Sequence, residues 1–184
     1  NVEQLDHVAI HVADVERSCQ FYSEVLRLVP LPRPHQGRAG PLDAVEMPEG
    51  AHALLEEELE RLRKRRQKPK FIYVVPDFQN PAGITMSEGR RQKLIELAHE
   101  YDVLIVEDSP YKELRYEGES QKSIFALDGT GHVIGLHTFS KILFPGMRLG
   151  WVIGDEAVIQ KMVIAKQATD LCTPSFTQAI IAEF

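Results

Sequence analysis

Cysteine is nearly absent from this chain: among 184 residues only Cys19 and Cys172 carry a thiol. Two thiols so far apart, neither within metal-ligand spacing, exclude a disulfide scaffold and read as reduced cysteines in a cytoplasmic-type compartment. Long apolar runs are also missing, since none approaches the ~18 residues of a transmembrane helix. The opening Asn1-Val2-Glu3-Gln4 has neither the basic region nor the apolar core of a signal peptide. It also lacks an initiator Met, which reads as a processed, trimmed or partial amino terminus. Basic excess is lacking too: 21 Lys and Arg stand against 27 Asp and Glu, a net charge of −6. Nothing in the global charge therefore calls for nucleic acid or an anionic membrane as partner. No internal repeat is visible.

What is present is ordinary, with 43% hydrophobic and 26% charged residues, and this excludes a disordered or collagen-like chain. The length gives a prior of about one domain, able to bury roughly 70% of its unfolded surface. Three textures divide it. Residues 4–12 alternate, with Val8, Ile10 and Val12 on one face and His7, Ala9 and His11 on the other, as in a strand. Asp14 suits the N-cap of a helix to about Leu26, and a short strand around 28–31 then meets the Pro- and Gly-rich stretch 32–40, a loop or boundary.

A helix is expected over 51–67, with Leu55, Leu59 and Leu62 as its buried stripe. Its glutamates come early and its arginines late, which suits the helix dipole. The basic run 61–70 has the composition of a nucleic-acid patch, but the acidic residues alongside favour a solvated helix end. From Phe71 the texture becomes βαβ. Phe71-Ile72-Tyr73-Val74-Val75 reads as a buried strand, and Thr85-Met86-Ser87-Glu88 fits a capping box. The next helix carries Leu94, Ile95, Leu97, Ala98 and Tyr101 on one face. Strands follow at 103–106, parallel to the first through a crossover, at 133–138, and at 149–153, the last close enough to be antiparallel. Helices at 156–169 and 174–184 complete an α/β chain with a mostly parallel sheet, one antiparallel strand and flanking helices.

Open α/β sheets bind ligands beyond the carboxyl ends of their strands. Here those ends lead into Pro76-Asp77-Phe78-Gln79-Asn80-Pro81-Ala82-Gly83, into Glu107-Asp108-Ser109-Pro110-Tyr111, and into Ser140-Lys141 followed by Pro145-Gly146-Met147-Arg148. Amide, carboxylate, phenol, amine and guanidinium thus gather at one edge. The set suits a ligand with an anionic group and a basic ring nitrogen. Taken singly, Asp108 reads equally as a helix cap, Asn80-Pro81 as a turn opener, Tyr111 as core, and Lys141 or Arg148 as a solvated charge. Gly146 and Gly150 read as tight backbone or plain turn residues.

These three motifs, with Thr138-Phe139-Ser140-Lys141 running through Phe144 to Trp151, resemble those of the class I/II aminotransferases over about residues 41–184. These are fold-type-I enzymes that use pyridoxal 5′-phosphate, and the resemblance is strongest to the 2-aminoadipate, branched-chain and aromatic group. Similar aminotransferase-like domains are fused to regulators. The resemblance implies a partial large domain of that fold. It also implies amino transfer between an amino acid and a 2-oxo acid at a homodimer interface, with Lys141, Asp108 and Tyr111 catalytic. Lys141 would carry the cofactor as a Schiff base and move protons. Asp108 would pair with the pyridine nitrogen. Asn80 and Tyr111 would hydrogen-bond the 3′-oxygen, and Thr138, Ser140 and Arg148 would hold the phosphate. The family's Gly-rich phosphate loop, ring-stacking aromatic residue and carboxylate-binding arginine have no matching motif in this chain. A non-catalytic, cofactor-binding module is the alternative the same motifs allow.

The first 40 residues read differently. Leu5-Asp6-His7-Val8-Ala9-Ile10-His11-Val12-Ala13-Asp14, with Phe21-Tyr22-Ser23-Glu24-Val25-Leu26, resembles the opening βα unit of the vicinal-oxygen-chelate (glyoxalase-like) superfamily. In that superfamily the position of His7 is often a metal ligand, so a metal-binding protein of this class is a third reading. Residues 1–40 and 41–184 are thus expected to be two partial segments joined at a chimeric boundary.

Overall fold

The computed structural model describes residues 51–184. The strand and helix expected within 4–31, the ligand reading of His7 and the boundary near residue 40 lie outside the described residues. The first described element is helix α1 (Ala51–Lys64), which buries Leu55, Leu59 and Leu62 as its spacing requires. It stops short of Gln67 for a local reason. Arg66 takes a left-handed φ of 57°, its N–H bonds to Arg63 O at 2.9 Å, and the Gln67 N–H bonds to Leu62 O at 2.9 Å. This pair of bonds is a Schellman closure, which satisfies the last carbonyls and turns the chain. Arg61, Arg63 and Lys64 occupy the last turn, as the helix dipole favours, but no acid occupies the first. The basic run is paired with carboxylates, Arg61 with Glu58, Arg63 with Glu60 at 2.6 Å, and Lys68 with Asp102.

Strand β1 (Phe71–Val74) leads through a loop to helix α2 (Glu88–Tyr101), then strand β2 (Leu104–Asp108), a 3-10 turn at Lys112–Leu114 and the short helix α3 (Ile124–Asp128). Strand β3 (Val133–Thr138), a 3-10 turn at Pro145–Met147, strand β4 (Gly150–Ile153) and helices α4 (Glu156–Thr169) and α5 (Ser175–Ala182) complete the order. The sheet runs β1-β2-β3-β4. The β1·β2 and β2·β3 pairs are parallel and the β3·β4 pair is antiparallel, as the connection lengths predict.

Two departures from the sequence reading have clear causes. The capping box does not form: Ser87, not Thr85, is the N-cap of α2 and makes no side-chain cap bond. The Thr85 hydroxyl instead accepts from the Phe78 N–H at 3.3 Å, so it closes the loop after β1 rather than the helix. Strand β1 is also not buried on both faces, because it lies at the sheet edge and leaves Tyr73 46% exposed.

The core lies on both sides of the sheet. On one side Ile72, Ile105 and Val133 pack with Leu55 and Leu59 of α1, Leu94, Leu97 and Ala98 of α2, and Ile124 of α3. On the other, Ile134 and Val152 meet Val158, Ile159, Met162 and Val163 of α4. Adjacent residues of β3 thus feed opposite cores, the period-two rule of a strand. Among the described residues no helix is long and apolar enough to cross a membrane.

Candidate functional site

Parallel pairing brings the carboxyl ends of β1, β2 and β3 to one edge of the sheet. There Val74 pairs with Glu107, Asp108 with Leu136, and Thr138 with Gly150, so the antiparallel β4 enters at that same edge. Asp108 is the last residue of β2, Thr138 the last of β3, and Lys141 and Arg148 lie on the connection from β3 to β4. The topology therefore gathers the predicted residues around one edge, as the strand-end rule requires.

Asp108 is the best-defined member. Its carboxylate is half-buried and accepts from the Tyr73 hydroxyl. Tyr73 pairs with Val106, so Asp108 is its diagonal neighbour across the ladder, within reach of a long aromatic side chain. Burial pushes the Asp108 carboxyl above its ordinary range, against the opposing pull of the Tyr73 hydrogen bond and of His137. Burial also lowers His137, helped by the Lys112 ammonium and opposed by Asp108 and Glu113. The His137 ring stacks on Trp151 at 5.1 Å and 11°.

The β3–β4 connection is built from hydroxyls. Thr138 Oγ1 accepts from the Ser140 N–H at 3.1 Å and lies 2.9 Å from Ser140 Oγ, which holds the turn that presents Lys141 to solvent. Arg148 is exposed with a left-handed φ of 51°, and its guanidinium reaches Pro145 O at 3.4 Å. Gly150 is required here: a Cβ would sit 2.6 Å from His137 O. Gly146 has neither a positive φ nor a neighbour within 4 Å, so its role is plain turn chemistry. Tyr111 opens the 3-10 turn at Lys112–Leu114 and is half-buried, and Asn80 sits exposed on the loop after β1.

That loop is held from below by Arg91 and Arg115, which carry no motif, together with Asp77 and Glu107 of the strand-end segments. Arg91 on α2 is completely buried and donates to Met86 O at 2.9 Å, Lys122 O at 2.9 Å, Pro76 O at 3.4 Å and Asp77 Oδ1 at 2.8 Å. Glu107, buried beside it at 4.0 Å, accepts from the N–H groups of Ile124 and Phe125 and so caps α3. Arg115 lies 3.7 Å from Asp77 and stacks over the Phe78 ring at 4.7 Å. In the sequence Arg91 stands among polar helix residues, with no periodic signal that marks it as buried. Tyr73 was hidden inside an apolar run, and only the strand register places it beside Asp108.

Comparison with known proteins gives a consistent family. Residues 43–184 match the family model described as aminotransferase class I and II. The chain is 57% identical over 127 residues to aromatic-amino-acid aminotransferase 1 of Thermococcus litoralis, covering 69% of this chain and 30% of that protein. Among solved structures it is similar to the Pyrococcus horikoshii kynurenine aminotransferase, with a TM-score of 0.67 and 59% identity over 68% of this chain and 31% of that one. The multiple-substrate aminotransferase of Thermococcus profundus gives a TM-score of 0.67 and 60% identity over 70% and 32%. The chain thus spans about a third of the length of the relatives it matches.

Proposed function

The chain belongs to the class I and II aminotransferases, and from that premise we propose that its sheet edge is part of a pyridoxal 5′-phosphate site. The reaction would be amino transfer between an amino acid and a 2-oxo acid. The substrate class proposed is aromatic amino acids and their near relatives, for which the similar proteins are named. The proposed assembly is a homodimer.

The observation that carries this reading is the donor set on one edge: a half-buried carboxylate at the end of β2, and hydroxyls, an amine and a guanidinium after β3. That set fits the chemistry of the cofactor. Lys141 Nζ would hold its aldehyde carbon, Asp108 its ring nitrogen, and Asn80 and Tyr111 its 3′-oxygen. Thr138, Ser140 and Arg148 would hold its phosphate, with Arg148 supplying the charge-assisted contact. When bound, the cofactor supplies an electron sink for the pair left on the substrate Cα after deprotonation.

The remaining work falls to side chains of this chain. Lys141 Nζ acts as base and acid, taking and returning a proton at the substrate Cα, and it needs the uncharged amine to do so. Asp108 is raised by burial because its anion is poorly solvated, so a cationic ring N–H opposite it offsets that cost. Tyr73 keeps one carboxylate oxygen engaged and the group oriented toward the edge. Arg91, Asp77 and Glu107 fix the loop that carries Asn80 against the sheet.

The test is a spectral titration of the purified full chain with pyridoxal 5′-phosphate. A saturable visible band is expected for the wild type, with weaker binding by Asp108→Asn and no band with Lys141→Ala. A folded wild-type chain that gives no band at saturating cofactor would reject the reading. A band without turnover of any aromatic amino acid would support the site and reject the activity.

A further inference from the structure

A second cluster of donors sits at the opposite edge of the sheet, away from the site just described. His99 lies in the last turn of α2, Asp128 is the last residue of α3, and His132 immediately precedes β3. One ligand-type atom from each lies within 4.8 Å of the other two. We propose that His99, Asp128 and His132 form a binding site for a divalent transition ion of the zinc class.

The three side chains converge on a single point. Thr130 Oγ1 lies 2.9 Å from His99 Nε2, 2.7 Å from Asp128 Oδ1 and 3.2 Å from His132 Nδ1. All three donors therefore face one small volume, which the hydroxyl reaches and can leave by a side-chain rotation. Zinc binds imidazole nitrogen and carboxylate oxygen at about 2.0–2.2 Å in tetrahedral sites, so such donors stand about 3.4 Å apart. His99 Nε2 and Asp128 Oδ1 are 2.8 Å apart, and small side-chain movements bring the set to that spacing.

The surroundings hold the cluster in place. Histidines that bind metals usually give their other ring N–H to a carboxylate, a backbone carbonyl or water, which fixes the ring and raises its basicity. His132 turns Nδ1 toward the cluster and Nε2 toward Asp102 Oδ1, 3.6 Å away. Asp102 is in turn held by Lys68. Asp128 is anchored as well, since its second oxygen accepts from the N–H groups of Thr130 at 3.1 Å and His132 at 3.0 Å, which leaves Oδ1 directed at the cluster. The rings of His99 and His132 meet edge to face at 4.7 Å and 61°, so both nitrogens reach the centre without stacking. The cluster is partly open to solvent, which gives an ion a path in. Two imidazoles and one carboxylate leave a fourth position for water. The ion would tie the end of α2 to the turn that starts β3.

The test is calorimetric titration of the full, reduced chain with zinc chloride, with the visible bands of cobalt(II) as a report on tetrahedral geometry. One ion per chain is expected, with a rise in Tm. That ion should be lost in His99→Asn and in His132→Asn, each checked for native circular dichroism. Asp102→Asn, which leaves all three ligands in place but removes the charge facing His132 and Lys68, should weaken binding by about tenfold. His7, His11, His35, His52 and His137 could bind zinc elsewhere in the chain. Zinc uptake unchanged by both histidine substitutions would therefore overturn the proposal, as would a folded wild type that takes up none.

Discussion

Replacing Arg91 by Met probes the buried network that supports the loop after β1 at the proposed cofactor edge. Removing one partner of a buried ion pair costs about 3–5 kcal/mol, chiefly because the other charge is left unpaired. Two features pull this case toward the low end. Asp77 keeps Arg115 at 3.7 Å, and Glu107 keeps the N–H groups of Ile124 and Phe125 at 3.0 and 2.9 Å. Pulling the other way, the carbonyls of Met86 and Lys122 lose their guanidinium donor, at about 1–3 kcal/mol for each group left without a replacement. Met fills much of the vacated volume, so the cavity contribution is small. The balance is a loss of about 3–4 kcal/mol. With a urea slope of about 2 kcal/mol per molar, the midpoint falls by about 1.5–2 M. The only tryptophan, Trp151, is stacked on His137 and reports the transition by fluorescence. Arg91→Lys keeps the charge but not the planar fork, and should fall between wild type and Met. A Met variant within about 1 kcal/mol of wild type would refute the claim that Arg91 organises this loop.

Asp108→Asn separates stability from binding. Because burial raises the Asp108 carboxyl in the folded state, its contribution to stability is fully present below the unfolded value of about 3.9 and is lost as pH rises through the raised value. Urea midpoints should therefore show wild type losing ground to the Asn variant between acid and neutral pH, while the variant binds cofactor more weakly; a parallel pH dependence would contradict this. Gly150→Ala puts a Cβ 2.6 Å from His137 O and should cost about 1–3 kcal/mol, whereas Gly146→Ala, with open space around it, should change urea stability by under about 0.5 kcal/mol. Tyr73→Phe removes the donor that stabilises the Asp108 anion, so it should raise the Asp108 pKa further and weaken cofactor binding, both measurable by pH-dependent titration.

Periodicity carried most of the fold, and strand-end chemistry carried the gathering of the candidate residues at one sheet edge. Leu55, Leu59 and Leu62 of α1, the exact span of β3 and the antiparallel β4 follow from patterns local to a few residues. The positions of Asp108, Lys141 and Arg148 at one edge follow from chain order and the parallel rule. Features that depend on partners distant in sequence were not legible. Tyr73 meets Asp108 only because β1 and β2 pair in one register, and a shift of one residue would turn it to the other face. Arg91 looks like any polar helix residue until α2 is laid over the loop after β1. The Thr85 hydroxyl had two local uses, and the loop took it rather than the helix. The His99, Asp128 and His132 cluster has no familiar ligand spacing and exists only where two helix ends meet the start of a strand.

The most direct test of the central claim is covalent mapping. The full chain, saturated with pyridoxal 5′-phosphate and reduced with borohydride, is digested and its peptides are weighed. One added cofactor mass on the peptide that contains Lys141, lost in Lys141→Ala, is the predicted result. Label spread over the surface lysines, or held equally by the Lys141→Ala chain, would contradict it.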